Sequence, residues 1–362
     1  MRNKCGFLLA TALLMLTGSP ARARVIYNVI NLGTLGGDNS CAYSINNTGK
    51  IAGSATIASG DRHAALFDST GGGNNTDLGT LGGLVSDAYG INNAGQVVGS
   101  ATDSTNTSYP FFYDTQGGMR NLYTGSKSGD SWTHTGSAMA INENGSIAGY
   151  MTTPTGGGGG VLAPRVWPAG GDMITLGRNY NEQPRWGYGI NDAGHVVGTS
   201  WLPSGYYNAF FWDGTNGTTV QNLGSVSAHS WGYGINNSDQ VVGKGTDGAF
   251  IWTASQGIKY LGLTGSTAFA INDNGDIVGC SSDERAILFD RTGAGNNIDL
   301  NKLINPASGW TLTCAYGIND VGWIVGQGVN PDGHLSAFLL TPEPTTLLLI
   351  TLGGLILRKR KA

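Results

Sequence analysis

The sequence predicts an all-β fold, a seven-bladed β-propeller of four-stranded blades, with short helical signal segments at both ends. A hairpin pattern recurs seven times at intervals of 36 to 50 residues. A period of about 45 residues is typical of a four-stranded propeller blade. Two further strand patterns accompany each hairpin. Glycine supplies 60 of the 362 residues, which favours short strands joined by tight turns.

Each hairpin is predicted from an Ile-Asn pair that follows alternating small and large residues. That alternation places an aromatic residue and the isoleucine on one strand face. Two turn-forming residues follow, then a glycine suited to positive φ in six copies and Asp239 in the fifth. The asparagine side chain is expected to bond the turn backbone. The seven asparagines are Asn46, Asn92, Asn142, Asn191, Asn236, Asn272 and Asn319.

Two more strands are predicted in each unit. One is bulky and ends in an aromatic ring in six copies, which suits packing between blades. Its copies are 63–67, 109–113, 163–167, 208–212, 248–252, 285–289 and 336–340. The other surrounds a leucine that is usually followed by glycine. Its copies are 31–35, 77–81, 120–124, 174–178, 221–225, 259–263 and 298–302.

The order of these patterns predicts how the ring closes. The seventh hairpin is followed by its aromatic strand and by no leucine strand. The missing strand is found at 25–33, before the first hairpin. The N-terminal strand is therefore expected to complete the last blade, which leaves no exposed sheet edge at the ends. The alternatives are an open solenoid, or six or eight blades if a terminal copy is atypical.

The N-terminus predicts a signal peptide over residues 1–23. Arg2 and Lys4 precede a short apolar run at 6–16. Ala21 and Ala23 supply the small residues that a signal peptidase requires, so cleavage is expected near Arg24. The body of the chain is therefore expected to be exported.

The C-terminus predicts a second targeting signal. Pro342, Glu343 and Pro344 are followed by an apolar segment at 345–357 and a basic cluster at 358–361. Thirteen helical residues reach about 20 Å, against about 30 Å of hydrocarbon, so only a transient membrane span is expected. The basic cluster should remain cytoplasmic, with the body outside.

These C-terminal residues resemble the PEP-CTERM sorting tail, over residues 342–362. The resemblance implies an exosortase as a processing partner, which would cut near Pro342, Glu343 and Pro344 and release or attach the exported body. It also implies a protein of the cell surface or extracellular matrix.

The three repeat elements resemble the HAF extracellular repeat family over residues 25–341. The segments 77–83 and 90–99 follow its Asp-Leu-Gly and Gly-Ile-Asn patterns, and His63 and Ala64 keep the start of its third element. Other copies replace that histidine, so it receives no general role. The resemblance implies an exported repeat protein and no particular reaction.

Charge and cysteine content narrow the function classes. The end segments 1–23 and 345–362 hold seven basic residues and no acids, so without them the net charge falls from −4 to −11. An acidic body does not attract nucleic acid. Three cysteines then remain, of which Cys41 and Cys314 occupy the same column of the repeat. The sequence does not decide whether these two form a disulfide.

No catalytic, cofactor or metal site is predicted. The five histidines lack metal-ligand spacing, and His195 varies between copies as a solvated position would. The default acids for a hydrolase, Asp103, Asp130, Glu182 and Glu284, lie in loops outside the repeat. Trp186 and Trp231 both precede a Tyr-Gly-Ile-Asn segment, which indicates that they lie on one rim of the predicted ring. There they would either pack between blades or contact an extracellular polysaccharide. The first hypothesis is a noncatalytic surface or matrix protein; the alternatives are a carbohydrate- or protein-binding adhesin and, last, a polysaccharide hydrolase.

Overall fold

The computed structural model describes residues 26–123, 135–155, 159–177, 183–215, 217–225 and 228–343. Within these ranges the all-β prediction is confirmed, since two three-residue 3₁₀ helices, Leu300–Lys302 and Pro306–Ser308, are the only helical elements. The strands form five separate four-stranded sheets and one eight-stranded sheet. The larger sheet consists of two antiparallel groups of four, joined by a single parallel bridge between Arg62 and Val85.

The strands follow one another in groups of four along the chain. Strand β1 (Tyr27–Asn31) comes first. Group one has β2 (Gly36–Ile45), β3 (Ile51–Ile57), β4 (Arg62–Phe67) and β5 (Thr76–Asp77), and group two has β6 (Gly82–Ile91), β7 (Val97–Asp103), β8 (Ser108–Asp114) and β9 (Gly118–Asn121). Group three has β10 (Gly136–Ile141), β11 (Ile147–Thr155), β12 (Gly159–Trp167) and β13 (Ile174–Thr175). Group four has β14 (Gln183–Ile190), β15 (Val196–Trp201), β16 (Tyr207–Trp212) and β17 (Gln221–Gly224).

The remaining groups repeat this order. Group five has β18 (Ser230–Ile235), β19 (Val241–Gly245), β20 (Gly248–Thr253) and β21 (Gly257–Tyr260), and group six has β22 (Thr267–Ile271), β23 (Ile277–Cys280), β24 (Ala286–Phe289) and β25 (Ile298–Asp299). Group seven has β26 (Thr311–Ile318), β27 (Ile324–Val329) and β28 (Leu335–Pro342), and its fourth strand is β1. Strand β1 lies antiparallel to β28, with Tyr27 opposite Pro342 and Asn31 opposite Phe338.

A β-bulge interrupts the first strand pair of every group. The strand register shifts across the repeat aromatic position. In group one the shift lies between Ala42 and Ser44, and in group seven it lies between Ala315 and Gly317. The same shift occurs in the other five groups. A bulged residue leaves the ladder and takes a new direction, so simple alternation does not carry through the hairpin as the sequence pattern suggested.

The glycine that ends each repeat is required by this bulge. At Gly53 a Cβ atom would overlap the carbonyl oxygen of Cys41, and at Gly326 it would overlap that of Cys314. The same overlap occurs at Gly99, Gly149, Gly198, Gly243 and Gly279. Only a residue without a side chain permits this approach of the two strands.

The core is divided into seven clusters, each shared by two neighbouring groups. Ala52 and Ala64 of group one pack with Val97 and Phe111 of group two, and corresponding clusters lie between the later groups. The last cluster joins the two ends of the series, since Leu339 of group seven packs with residues of group one. Each group therefore has a packed neighbour on both faces.

The leucine strands are shorter than predicted. Strand β5 ends at Asp77, before Leu78, and the backbone N–H of Leu78 donates to the carbonyl of Ala64 at 2.9 Å. Gly79 follows with φ of 72°, which turns the chain out of the strand. The segment 298–302 was wrongly predicted as one strand, because Asp299 caps a 3₁₀ helix that begins at Leu300.

The two predicted targeting signals fall largely outside the described residues. These include the segment 1–23 with Ala21 and Ala23, as well as Pro344 and the apolar run 345–357. Pro342 ends β28, and the backbone N–H of Glu343 donates to the carbonyl of Ile26 at 2.9 Å. In the part of the chain that the structure describes, no helix is long and apolar enough to cross a membrane.

Candidate functional site

The seven repeat asparagines form the hairpin turns through their side chains. Each Oδ1 atom accepts the backbone N–H of the residue four positions later, at 2.8 to 3.0 Å. In six turns the glycine has positive φ, and in the fifth Asp239 has φ of 55°. The asparagines are at most 4% exposed, so these bonds are made away from water. One side chain thus fixes the whole turn.

The other end of each asparagine side chain reaches the next group. Nδ2 of Asn46 donates to the carbonyl of Asn92 at 2.8 Å, and the same bond links each asparagine to the next along the series. Asn319 returns the series to its start by donating to the carbonyl of Asn46 at 3.1 Å. The seven bonds form a closed cycle, which we call the asparagine cycle.

A second cycle follows from the residue after each asparagine. The backbone N–H of Asn47 donates to Oδ1 of Asn93 at 2.8 Å, and corresponding bonds continue through five further positions. Asp320 completes it, because its N–H donates to Oδ1 of Asn47 at 3.0 Å. The members are Asn47, Asn93, Glu143, Asp192, Asn237, Asp273 and Asp320.

These two cycles line a polar cavity of about 310 Å³, which we call the asparagine cavity. The repeat isoleucines contribute its apolar part. Four carboxylates, Glu143, Asp192, Asp273 and Asp320, lie in its wall. Burial raises the pKa of Glu143, and the charges of Asp192 and Asp320 raise it further. The sequence did not predict that these four carboxylates lie close together, because they are far apart along the chain.

The asparagine cavity offers acceptor oxygens, yet most of them are already engaged in the cycles. Asp192 and Asp273 share the side-chain amide of Asn237 at 2.8 Å each. Among the described residues, no three His, Cys, Asp or Glu side chains are grouped to hold a metal ion. The hydrogen bonds in the cavity wall thus join neighbouring groups.

The bulged aromatic residues contact one another in series. Ring centroids are 5.2 to 5.6 Å apart from Tyr188 through Tyr233, Phe269, Tyr316 and Tyr43 to Tyr89. Met139 holds the corresponding position in group three. Burial raises the pKa of Tyr89 and of Tyr233 to about 12, so these phenols stay neutral at physiological pH.

A separate cluster of rings lies at groups four and five, at the hairpin of β15 and β16. Tyr207 is its centre, with centroid distances of 4.8 Å to Trp201, 5.8 Å to Trp186 and 5.9 Å to Trp231. His229 stacks on Trp231 at 5.5 Å. The structure therefore brings Trp186 and Trp231 together around one tyrosine. With Tyr206, whose ring is 5.3 Å from His229, these residues form what we call the aromatic patch.

The aromatic patch is both packed and accessible. Tyr206 is 47% exposed, and the other five rings are partly exposed. Nδ1 of His229 accepts the backbone N–H of Tyr207 at 3.0 Å, so the neutral ring carries its proton on Nε2. The guanidinium carbon of Arg185 lies 5.6 Å from the Trp201 ring centre, within cation–π range.

Two polar atoms beside the aromatic patch are buried and have no hydrogen-bond partner among the described residues. They are Nε of Arg185 and Oγ1 of Thr199. Thr199 lies opposite Trp186 in the strand register. Unsatisfied polar atoms are rare in folded proteins and are often found where a ligand or water completes the bonding.

Two histidines and one of the loop acids have local partners in the described part of the chain. Nδ1 of His195 lies 2.7 Å from Oδ1 of Asp239, and its ring packs edge-on against Phe211, so the expected solvated position is wrong. His63 lies 2.9 Å from Asp77 on the neighbouring strand. Asp103 caps its own turn at Thr105.

The four default hydrolase acids do not form a pair among the described residues. Asp103 lies in group two and Glu284 in group six. Asp130 and Glu182 lie outside the described residues.

Comparison with known proteins gives limited likeness. The family described as "Protein of unknown function (DUF3466)" matches residues 119–257. A comparison with curated proteins gives no match. Among solved structures, a gluconolactonase from Xanthomonas campestris is similar over 90% of this chain and 94% of its own, at 9% identity and a TM-score of 0.41.

Two other solved structures are similar to a comparable degree. The β-propeller domain of the Trilobed protease from Pyrococcus furiosus is 10% identical, with 72% of this chain and 81% of that one covered and a TM-score of 0.47. The BP39L lectin from Burkholderia pseudomallei is 11% identical, with 88% and 98% covered and a TM-score of 0.44.

Proposed function

We propose that the seven four-stranded groups are the blades of a closed β-propeller, completed by the N-terminal strand. Three observations support this. The asparagine cycle returns from Asn319 to Asn46. A core cluster joins groups seven and one. Strand β1 supplies the fourth strand beside β28. A ring in which every blade packs on two neighbours is rigid and presents few free sheet edges.

We further propose that the protein is a noncatalytic, exported surface or matrix protein that binds extracellular carbohydrate at the aromatic patch. The observation that carries this proposal is the gathering of partly exposed Trp186, Trp201 and Trp231 around Tyr207. Flat indole and phenol rings offer apolar area at low entropic cost, and sugar rings present C–H faces that cover such area.

The polar atoms at the aromatic patch favour a hydroxylated ligand over a purely apolar one. Since Nδ1 of His229 accepts from Tyr207, Nε2 of His229 is the donor of that ring, and the guanidinium of the partly exposed Arg185 supplies further donors. A few fixed polar groups around an apolar platform are typical of small-molecule recognition. A polysaccharide supplies both the C–H faces and the hydroxyl groups.

The binding proposal is tested with the purified chain on a glycan array, followed by calorimetry of any hit. We expect the Trp186→Ala plus Trp231→Ala variant to lose at least tenfold in affinity. The matched control is Trp310→Ala, which removes a partly buried indole that contacts Phe338 outside the patch. Melting temperatures of all variants report whether the fold is retained. Absence of any glycan binding by the unmodified chain, or an equal loss in Trp310→Ala, contradicts the proposal.

The noncatalytic part has its own test. Polysaccharides that bind are incubated with the protein, and reducing ends are measured. We expect no increase. Hydrolysis that disappears on replacing Glu143 or Asp192 by its amide would instead assign catalysis to the asparagine cavity.

Export and sorting remain proposals that follow from the end segments. Signal peptidase would cut after Ala23, and an exosortase would act near Pro344. Mass spectrometry of the mature protein from its native host tests both steps. An intact Met1 or an intact Ala362 would contradict the corresponding step.

A further inference from the structure

Three cysteines of the described chain lie in three successive blades of the proposed ring. Cys280 is the last residue of β23 in group six, Cys314 lies in β26 of group seven, and Cys41 lies in β2 of group one. All three are free thiols. Cys41 and Cys314 share one repeat column, whereas Cys280 directly follows the repeat glycine Gly279.

The fold brings these two columns together at the junction between groups seven and one, through the residue that follows the repeat glycine. In group seven this residue is Gln327, whose Nε2 donates to the carbonyl of Ser40, beside Cys41, at 3.0 Å. Cys280 is the counterpart of Gln327 in group six, and Cys314 is the counterpart of Cys41 in group seven.

Strand β23 packs on β26, which places the thiol of Cys280 beside that of Cys314. The thiol of Cys41 lies beside the hydroxyl of Tyr43 within its own strand. Sequence reasoning had considered Cys41 and Cys314 as partners, since they share a column. The junction instead pairs unlike columns, so Cys280 is the partner of Cys314.

We propose that Cys280 and Cys314 are an oxidation site, at which a disulfide covalently joins the sixth and seventh blades. The bond would end in the blade in which β1 and β28, the two ends of the described chain, are joined by strand pairing and not by chain continuity. Exported proteins meet an oxidising environment in which such bonds persist. The proposal itself does not depend on carbohydrate binding.

The two cysteines have different roles in forming the bond. Cys280 is partly exposed, and the hydrogen bond from Cys314 lowers its pKa, partly offset by burial. The ammonium of Lys244 also lowers it, and the carboxylate of Glu284 raises it. Burial raises the pKa of Cys314, as do Cys280 and Cys41. Cys280 is therefore the attacking thiolate and Cys314 the resolving thiol.

Oxidised glutathione is the oxidant in the test reaction. The Cys280 thiolate attacks one of its sulfurs, forms a mixed disulfide and releases one glutathione thiolate, which takes up a proton. Cys314 then loses its proton and attacks Sγ of Cys280, which releases the second glutathione. Two protein thiols become one disulfide, and oxidised glutathione becomes two molecules of reduced glutathione.

The experiment uses the full chain, first reduced and then incubated with oxidised glutathione. We expect two thiols to disappear, a mass lower by two hydrogens, and a cross-linked peptide pair containing Cys280 and Cys314. Oxidation should raise the melting temperature, and dithiothreitol should reverse the rise. Cys41→Ser is the matched control and should behave as the unmodified chain does.

Two serine variants separate the steps. Cys314→Ser should stop at the mixed disulfide on Cys280, and Cys280→Ser should show neither product. A link between Cys41 and Cys314, or full retention of the thiols of Cys280 and Cys314, would overturn the proposal.

Discussion

The side-chain amide of Asn319 donates to the backbone carbonyl of Asn46, which lies 273 residues earlier in the chain. The same bond joins every other pair of neighbouring hairpins, at 2.8 to 3.1 Å. The junction between the two ends of the repeat series is thus built like the six junctions within it. This equivalence has measurable consequences.

The first prediction concerns the asparagine cycle. Asn319→Ala removes a turn acceptor and one of the two donors to the buried carbonyl of Asn46, which keeps the N–H of Gly49, and it should cost about 1–3 kcal/mol of unfolding free energy. Urea unfolding measures the loss. Asn142→Ala should cost a similar amount, because its bonds are equivalent. The control Asn296→Ala, in an exposed loop, should be near neutral. A loss at Asn142 with none at Asn319 would argue for an open chain end.

The second prediction concerns the N-terminal segment. Leu32 is 1% exposed and its N–H donates to the carbonyl of Ala337 at 3.0 Å. Leu32→Ala should therefore cost about 2–5 kcal/mol, as for other buried leucines. Leu261→Ala, the counterpart in group five, should cost about as much. Leu84→Ala is the control, since Leu84 is 62% exposed. If Leu32→Ala unfolds like Leu84→Ala, the N-terminal segment is not part of the last blade.

The third prediction concerns the repeat turn. Gly322 has φ of 81°, and nothing lies within 4 Å of a Cβ atom built there. Gly322→Ala should therefore destabilise through the backbone alone, by about 1–2 kcal/mol. Gly171→Ala is the matched control, because Gly171 lacks positive φ and its Cβ would meet only Pro168 at 3.4 Å. Equal melting temperatures of the two variants would contradict the argument.

The fourth prediction concerns pH. The pKa of Glu143 is raised, so its protonated form is the one that the fold favours, and deprotonation reduces stability as pH rises through the raised pKa. Glu143→Gln keeps an acceptor for the N–H of Asn93 without the charge. It should raise the melting temperature at pH 7 by about 1–2 °C, a small effect because the carboxylate is exposed to water.

The gain from Glu143→Gln should shrink as the pH is lowered through the pKa of Glu143, where the native carboxyl is itself neutral. Thermal scans from pH 3 to pH 8 measure this trend. Glu284→Gln, outside the asparagine cavity, provides the baseline. A gain that persists unchanged at acid pH would show that charge is not its cause.

Local features were the most accessible to sequence reasoning. The turn at Asn236 and Asp239 follows from side-chain chemistry and backbone preference that act within five residues. The aromatic strands were placed within a few residues, as β16 at Tyr207–Trp212 illustrates. The leucine strands were overextended, because a backbone bond at Leu78 and a turn at Gly79 end them early.

The sites depended on contacts that sequence patterns do not contain. Glu143 and Asp320 come near each other only through the arrangement of whole groups. Cys280 was not considered as a partner of Cys314, because the two occupy different repeat columns. Trp186 and Trp231 share a position in the repeat, so the sequence indicated that they lie on one rim. It did not indicate that Tyr207, which belongs to another strand, lies between them. A repeat pattern aligns equivalent residues, whereas packing joins unlike ones.

The register of β28 sets the direction in which the protein would face if held by its C-terminal end. Leu340 lies opposite Ile324, just beyond the Asn319 turn, so the chain leaves Glu343 on the side of the asparagine cavity. Trp201 lies opposite Tyr207 at the other end of its strands, far from the Asn191 turn. A tether beyond Glu343 would therefore point the aromatic patch away from the anchoring surface and towards the surrounding medium.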